Sequence, residues 1–155
     1  TNHEILPFDG INLWEDNGLM FRAFYYADRI SSIKTSAYHY NQANPNTITS
    51  CYGRREIDQM ITCAKCVSDF YSNKPDADKY QFTVNALKYL AKLNLVTTRF
   101  DWLKEFKTLF PESNAATKYI SLDAFSTKGK IRFMFAKYRM AWLFVLLYKA
   151  LNFKN

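Results

Sequence analysis

Glycine and proline are scarce in this chain, four of each in 155 residues, which argues against a turn-rich β-sandwich and against a disordered or collagen-like polypeptide. Cysteine is nearly as rare. Three residues, Cys51, Cys63 and Cys66, are too few to staple a small secreted domain, so a reducing, cytoplasmic setting is expected. Long apolar runs are missing too: the longest, residues 140–148 (MAWLFVLLY), falls well short of the ~20 residues that cross a bilayer. No basic-then-apolar leader opens the chain, which begins Thr-Asn-His-Glu without Met and so reads as a fragment or a processed chain.

What is abundant is large and apolar. Hydrophobic residues make up 48% and aromatics 17%, with 13 Phe and 11 Tyr, enough to build the core of one ordinary domain or of one part of a larger protein. The formal charge of +7 is unevenly placed. Residues 1–97 hold ten Lys/Arg and ten Asp/Glu, whereas residues 98–155 hold eleven Lys/Arg and four acids, none of them after Asp123. A basic, aromatic C-terminal part fits anionic lipid, nucleic acid, an acidic partner or simply a solvated helical face. Nucleic acid is the poorest fit, because the aromatics cluster in one apolar block instead of interleaving with the cations as a base-stacking platform.

Along the chain, Asp9-Gly10 marks a turn, and Glu15, Asp16 and Asn17 open a helix whose stripe is Leu19, Met20, Ala23, Phe24 and Ala27, with Gly18 weakening its first turn. Residues 29–34 (RISSIK) and 37–41 (AYHYN) read as short strands, and Asn44-Pro45-Asn46 breaks the chain after them. From Gly53 the pattern turns helical. A first helix carries Ile57, Met60, Ile61, Ala64 and Val67 on one stripe and ends near Pro75. A second spans about 76–95, with Tyr80, Val84, Leu87 and Ala91 together, and a third about 99–110, closed by Pro111. A shorter one over 114–125 precedes a last helix over 130–153. The fold class is therefore mainly α with a short β segment (α+β). The boundary is expected near Cys51, with a mixed segment at 1–50 and a helical subdomain at 51–155.

Three groups of residues bear on chemistry. Cys63-Ala-Lys-Cys66 has the spacing of a metal or redox pair, and Cys51 with His39 would complete four ligands, but no second Cys-x-x-Cys or spaced His pair follows. Buried free thiols are the plainer reading. Glu15 and Asp16 are neighbours whose side chains point about 100° apart on a helix, so they do not share one proton. A carboxylate held at a helix N-terminus suits a general base that takes a proton from a hydroxyl, and it suits simple capping equally well. The last helix and its flanks pair Lys128, Lys130, Arg132, Lys137, Arg139, Lys149 and Lys154 with the apolar block around Trp142. That combination fits a helix lying in a membrane interface, and an apolar block on all sides fits a helix buried in a bundle.

The order Trp14-Glu15-Asp16 after FDGI, an apolar helix ending in Ala27-Asp28-Arg29-Ile30, then Tyr38-His39-Tyr40 and the stretch Asn46-Thr47-Ile48-Thr49-Ser50 resembles the C-terminal end of the bacterial family-2 glycosyltransferases, inverting enzymes of the GT-A fold. The resemblance covers residues 8–52. It implies that Asp16 is the catalytic base for the acceptor hydroxyl, that Glu15 orients the motif or contacts the acceptor, and that Trp14 offers an aromatic face to a sugar, a role that stands beside plain core packing. His39 falls near where some relatives place a histidine close to the diphosphate, although a strand histidine between two tyrosines is ordinarily a packed residue, and it is not taken as a metal ligand.

The family's Asp-x-Asp, which holds a divalent Mg or Mn and the diphosphate of the nucleotide-sugar, has no counterpart in the right place. Asp76-Ala77-Asp78 lies downstream of the Glu-Asp motif, where helix capping explains it better. The resemblance therefore implies the C-terminal part of a longer transferase that uses a nucleotide-sugar and a saccharide or lipid-linked acceptor. This part would be inactive alone and hold no metal of its own, and would lie in the cytoplasm with a peripheral contact to the inner face of the membrane through 128–155. The rival expectation is a helical interaction or membrane-docking module without catalysis.

Overall fold

The structure, a computed structural model, describes residues 5–32, 53–97 and 99–152. Among them the chain forms six α-helices and one 3-10 helix and no strand, so the mainly α class holds. Residues 29–32 are irregular and exposed, which removes the first four residues of the strand expected at 29–34. Residues 33–34, the strand expected at 37–41 and the boundary at Cys51 lie outside the described residues. The chain divides into two compact units, Thr1–Phe70 and Tyr71–Asn155.

In the first unit, the Asp9-Gly10 turn forms as the sequence predicts, with Gly10 at φ 74, a left-handed conformation that glycine adopts without steric cost. Helix α1, Glu15–Tyr26, follows, and α2, Arg54–Ser72, supplies most of the core. Ile57, Met60, Ile61, Ala64 and Val67 are all buried, as their 3.6-residue spacing predicts. The α1 stripe is different: Met20 and Phe24 are nearly half exposed, while Gly18 is buried. A Cβ on Gly18 would meet the Phe8 ring at 2.8 Å and Cys63 Sγ at 3.4 Å. Glycine there is a close-approach residue, not merely a weak helix former.

The described part of the second unit consists of helices joined by turns and irregular chain. Its first element, α3 (Ala77–Leu93), buries Val84, Leu87, Tyr89, Ala91 and Leu93 and packs on the 3-10 helix Pro111–Lys118. Between them runs α4, Asp101–Thr108, which stops before Pro111 and buries Leu103 and Phe106. The expected helix over 114–125 is instead this earlier 3-10 segment, followed by irregular chain to Ser126.

The last expected helix is two helices, α5 (Thr127–Lys137) and α6 (Ala141–Asn152), packed on each other. Ser126 caps α5 by accepting a hydrogen bond from the Gly129 amide at 3.2 Å. The break between them is made by Arg139, at φ 61. Its amide donates to the Ala136 carbonyl at 3.1 Å, and the Met140 amide donates to the Phe135 carbonyl at 2.7 Å. This double hydrogen bond closes a helix around a left-handed residue, a place usually held by glycine. Arginine there costs about 1–2 kcal/mol of backbone strain.

Helix α6 buries Ala141, Phe144 and Val145 and leaves Trp142, Leu146, Leu147 and Leu151 exposed. The buried-bundle expectation for this segment thus holds for one face only.

Candidate functional site

The Trp14-Glu15-Asp16 motif sits at the start of α1 with its geometry set by the backbone around Trp14. Trp14 is the residue before the helix and adopts φ 66, ψ 18, left-handed and unfavourable for a bulky side chain. Its carbonyl accepts from the Gly18 amide at 3.0 Å and from the Cys63 thiol of α2 at 3.2 Å. One residue pair upstream, the Asn12 amide donates to Gln59 Oε1 at 3.1 Å. The turn that presents Glu15 and Asp16 is therefore tied to α2 at two points.

Both carboxylates are exposed and occupy the first turn of α1, where the helix dipole and uncommitted backbone amides favour negative charge. Asp16 Oδ1 accepts from the Asn17 amide at 2.7 Å and from Asn17 Nδ2 at 3.1 Å. Asp16 thus does local helix-start work, and its Oδ2 takes no hydrogen bond from the described residues. Trp14 is half-buried, which leaves part of its indole to solvent. Nearby, the Arg22 guanidinium lies 4.2 Å over the Phe8 ring while its Nε and Nη2 are buried without a hydrogen-bond partner among the described residues.

The cysteine pair resolves into two different thiols. Cys63 is buried, Cys66 half-buried, and both are free. Burial pushes the Cys63 thiol up to about 11, helped by the neighbouring Cys66 and opposed by a backbone hydrogen bond from Gly18. Cys63 is a positioning residue for the helix start, a role that its spacing to Cys66 does not announce. His39 and Cys51, the other members of the four-ligand set, lie outside the described residues. Among the described residues no three His, Cys, Asp or Glu side chains come together as a metal cage.

Asp76 stands at the N-terminus of α3, yet its side chain makes no capping hydrogen bond. Its carboxylate lies 3.7 Å from the Lys79 ammonium. The capping explanation of Asp76 is thereby corrected to an ion pair within the first turn.

A strongly perturbed cation of the second unit, Lys92, escaped sequence reading. Lys92 is fully buried. Its Nζ donates to the Leu109 carbonyl at 3.0 Å, the Phe110 carbonyl at 2.9 Å and Asn114 Oδ1 at 2.8 Å, and it lies 5.5 and 5.4 Å from the Tyr89 and Phe106 rings. All three ammonium protons are used, two of them on carbonyls that follow the end of α4. Burial lowers it to about 8, against the raising effect of Glu112, whose own carboxylate pairs with Lys88 at 2.9 Å. The only signal in the sequence is that Lys92 is embedded in Leu-Ala-Lys-Leu-Asn-Leu.

No helix of the described residues is long and apolar enough to cross a membrane. No family model, no curated protein and no solved structure matches the chain.

Proposed function

We propose that this chain is the C-terminal part of an inverting sugar transferase in which Asp16 is the general base. The observation that carries this reading is the exposed Glu15-Asp16 pair at the first turn of α1, in the order and context that resemble the family-2 glycosyltransferases. Asp16 takes the proton from an acceptor hydroxyl, and the freed oxygen attacks the anomeric carbon from the face opposite the departing nucleoside diphosphate. Glu15 orients the motif or meets the acceptor, and the half-buried Trp14 offers indole surface to a sugar ring. Rigid placement of the base supports the reading, since positioning is a large part of such catalysis. The divalent Mg or Mn belongs, in this reading, to the nucleotide-binding half of the longer enzyme. The test is Asp16→Asn in the full-length transferase: a loss of transfer of about 100-fold or more is expected for removal of a general base, and near-normal transfer sinks the assignment.

A second reading, docking on an anionic membrane, is favoured by α6. Trp142, Leu146, Leu147 and Leu151 are 45–70% exposed on one helix, and the sequence around them is basic and lacks acids after Asp123. An apolar face flanked by cations is what an interfacial helix presents to anionic headgroups. Flotation with phosphatidylserine vesicles tests it. Leu146→Ser with Leu147→Ser should abolish flotation, and flotation that is unchanged, or equal on neutral phosphatidylcholine, removes the reading.

A further inference from the structure

A cavity of about 380 Å³ lies wholly within the second unit, where α4, the 3-10 helix and the α5–α6 turn converge. It uses no residue of the Trp14-Glu15-Asp16 motif. Its size falls in the range of small-ligand sites, about 300–1,000 Å³. The inner wall is apolar and aromatic: Leu103 and Phe106 are buried, and Tyr89 is 1% exposed. The Tyr89 hydroxyl is buried without a hydrogen-bond partner, a donor for which the described protein supplies no acceptor.

The remaining lining gives the cavity its sign. Lys107, Lys137 and Arg139 border it, and no Asp or Glu does. None of these three cations has a carboxylate partner among the described residues, although carboxylates elsewhere in the unit are paired, as Glu112 is with Lys88 and Asp101 with Arg99. Three cations of one sign border an apolar hollow and give it a positive field that favours an anion. Asn114 adds an amide: its Oδ1 is held by Lys92, which leaves Nδ2 as the uncommitted donor. Arg139 holds its place through the left-handed backbone described above, where glycine would meet no steric penalty. A strained residue whose side chain borders a cavity is a common sign of a functional constraint. Trp142, half exposed at the same opening, supplies a flat surface.

We propose that this cavity binds a small organic anion with an aromatic body and a phosphate-like head, an aryl phosphomonoester in size and charge. The ring lies against Phe106 and Trp142, and Arg139, Lys107 and Lys137 neutralise the head.

The experiment is calorimetric titration of the full chain with 1-naphthyl phosphate, with 1-naphthol and inorganic phosphate as separate arms. Saturable one-to-one binding of naphthyl phosphate is expected, at least tenfold tighter than either half. Arg139→Gly should weaken it at least tenfold while the melting temperature holds or rises, because glycine fits the left-handed position. Absence of saturable binding overturns the proposal, as does naphthol or inorganic phosphate binding as tightly as the ester. Wild-type affinity in Arg139→Gly overturns it as well.

Discussion

Replacing Lys92 by Met isolates the consequences of burying an ammonium group. The side chains are of similar length and the site is closed, so the change removes charge and donors while keeping most of the packing. Two oxygens lose their donor, the Leu109 carbonyl and Asn114 Oδ1, while the Phe110 carbonyl keeps the Ser113 amide at 3.0 Å and the Ser113 hydroxyl at 2.6 Å. Each such loss costs about 1–3 kcal/mol when the acceptor is buried. Against this, the fall of Lys92 from 10.5 to about 8 corresponds to about 3 kcal/mol of unfavourable desolvation that Met does not carry. The net expectation is a loss of about 1 kcal/mol at pH 7.5, or about 2–4 °C in Tm for a chain of this size.

The pH dependence supplies the sharper check. A lysine whose folded pKa lies below its unfolded value binds more protons when unfolded between about 8 and 10.5, so stability rises with pH across that window. Cys63, raised from 9.0 to about 11, works the other way: its contribution is full below 9 and is lost as pH climbs towards 11. Burial of the Tyr89 phenol, which pushes its pKa up, adds to the loss above 10. The clean interval is therefore pH 7.5 to 9, where guanidinium melts of the wild type should gain about 1 kcal/mol and Lys92→Met should gain almost none. A variant as stable as wild type at pH 7.5, or one with the same rise to pH 9, would refute the reasoning.

Three further outcomes follow from particular contacts. Gly18→Ala, which adds about 1 kcal/mol in an open helix, should instead lower the melting temperature, because its Cβ would meet Phe8 at 2.8 Å; a rise in Tm would show that Phe8 swings aside freely. Cys63 should be alkylated by iodoacetamide far more slowly than Cys66 at pH 8, as peptide mass spectrometry reads it, since burial and a raised pKa both withhold the thiolate; equal rates would contradict the burial of Cys63. Ser126→Ala removes the acceptor for the Gly129 amide and should cost about 1 kcal/mol, a fall of about 2–4 °C in Tm that leaves Lys92-linked pH dependence intact.

How far the sequence revealed this protein depends on whether the deciding interaction is local. The α2 stripe was legible because a single helix buries one face, and its 3.6-residue spacing appears directly in Ile57, Met60, Ile61, Ala64 and Val67. Pro111 was legible as the stop after α4 because the ring acts on its own neighbours. The break at Arg139 was not, because the residue expected at a left-handed helix end is glycine or asparagine, and nothing in Tyr138-Arg139-Met140 marks the strain it carries. Gly18 carries a signal that points the wrong way: read alone it weakens a helix, and only the approach of Phe8 and Cys63 gives it a purpose.

The same logic separates the two acids from what holds them. Glu15 and Asp16 were found by their adjacency at a helix start. Their anchors, the Cys63 thiol on the Trp14 carbonyl 49 residues away and the Gln59 amide oxygen on the Asn12 amide 47 away, are contacts between elements that no spacing rule reaches. If Asp16 is a base, these anchors carry its accuracy, so Cys63→Val in the full-length transferase should lower kcat more than it raises KM. A variant that changes neither, while the Asp16→Asn loss stands, would mean that the base is positioned by the α1 backbone alone.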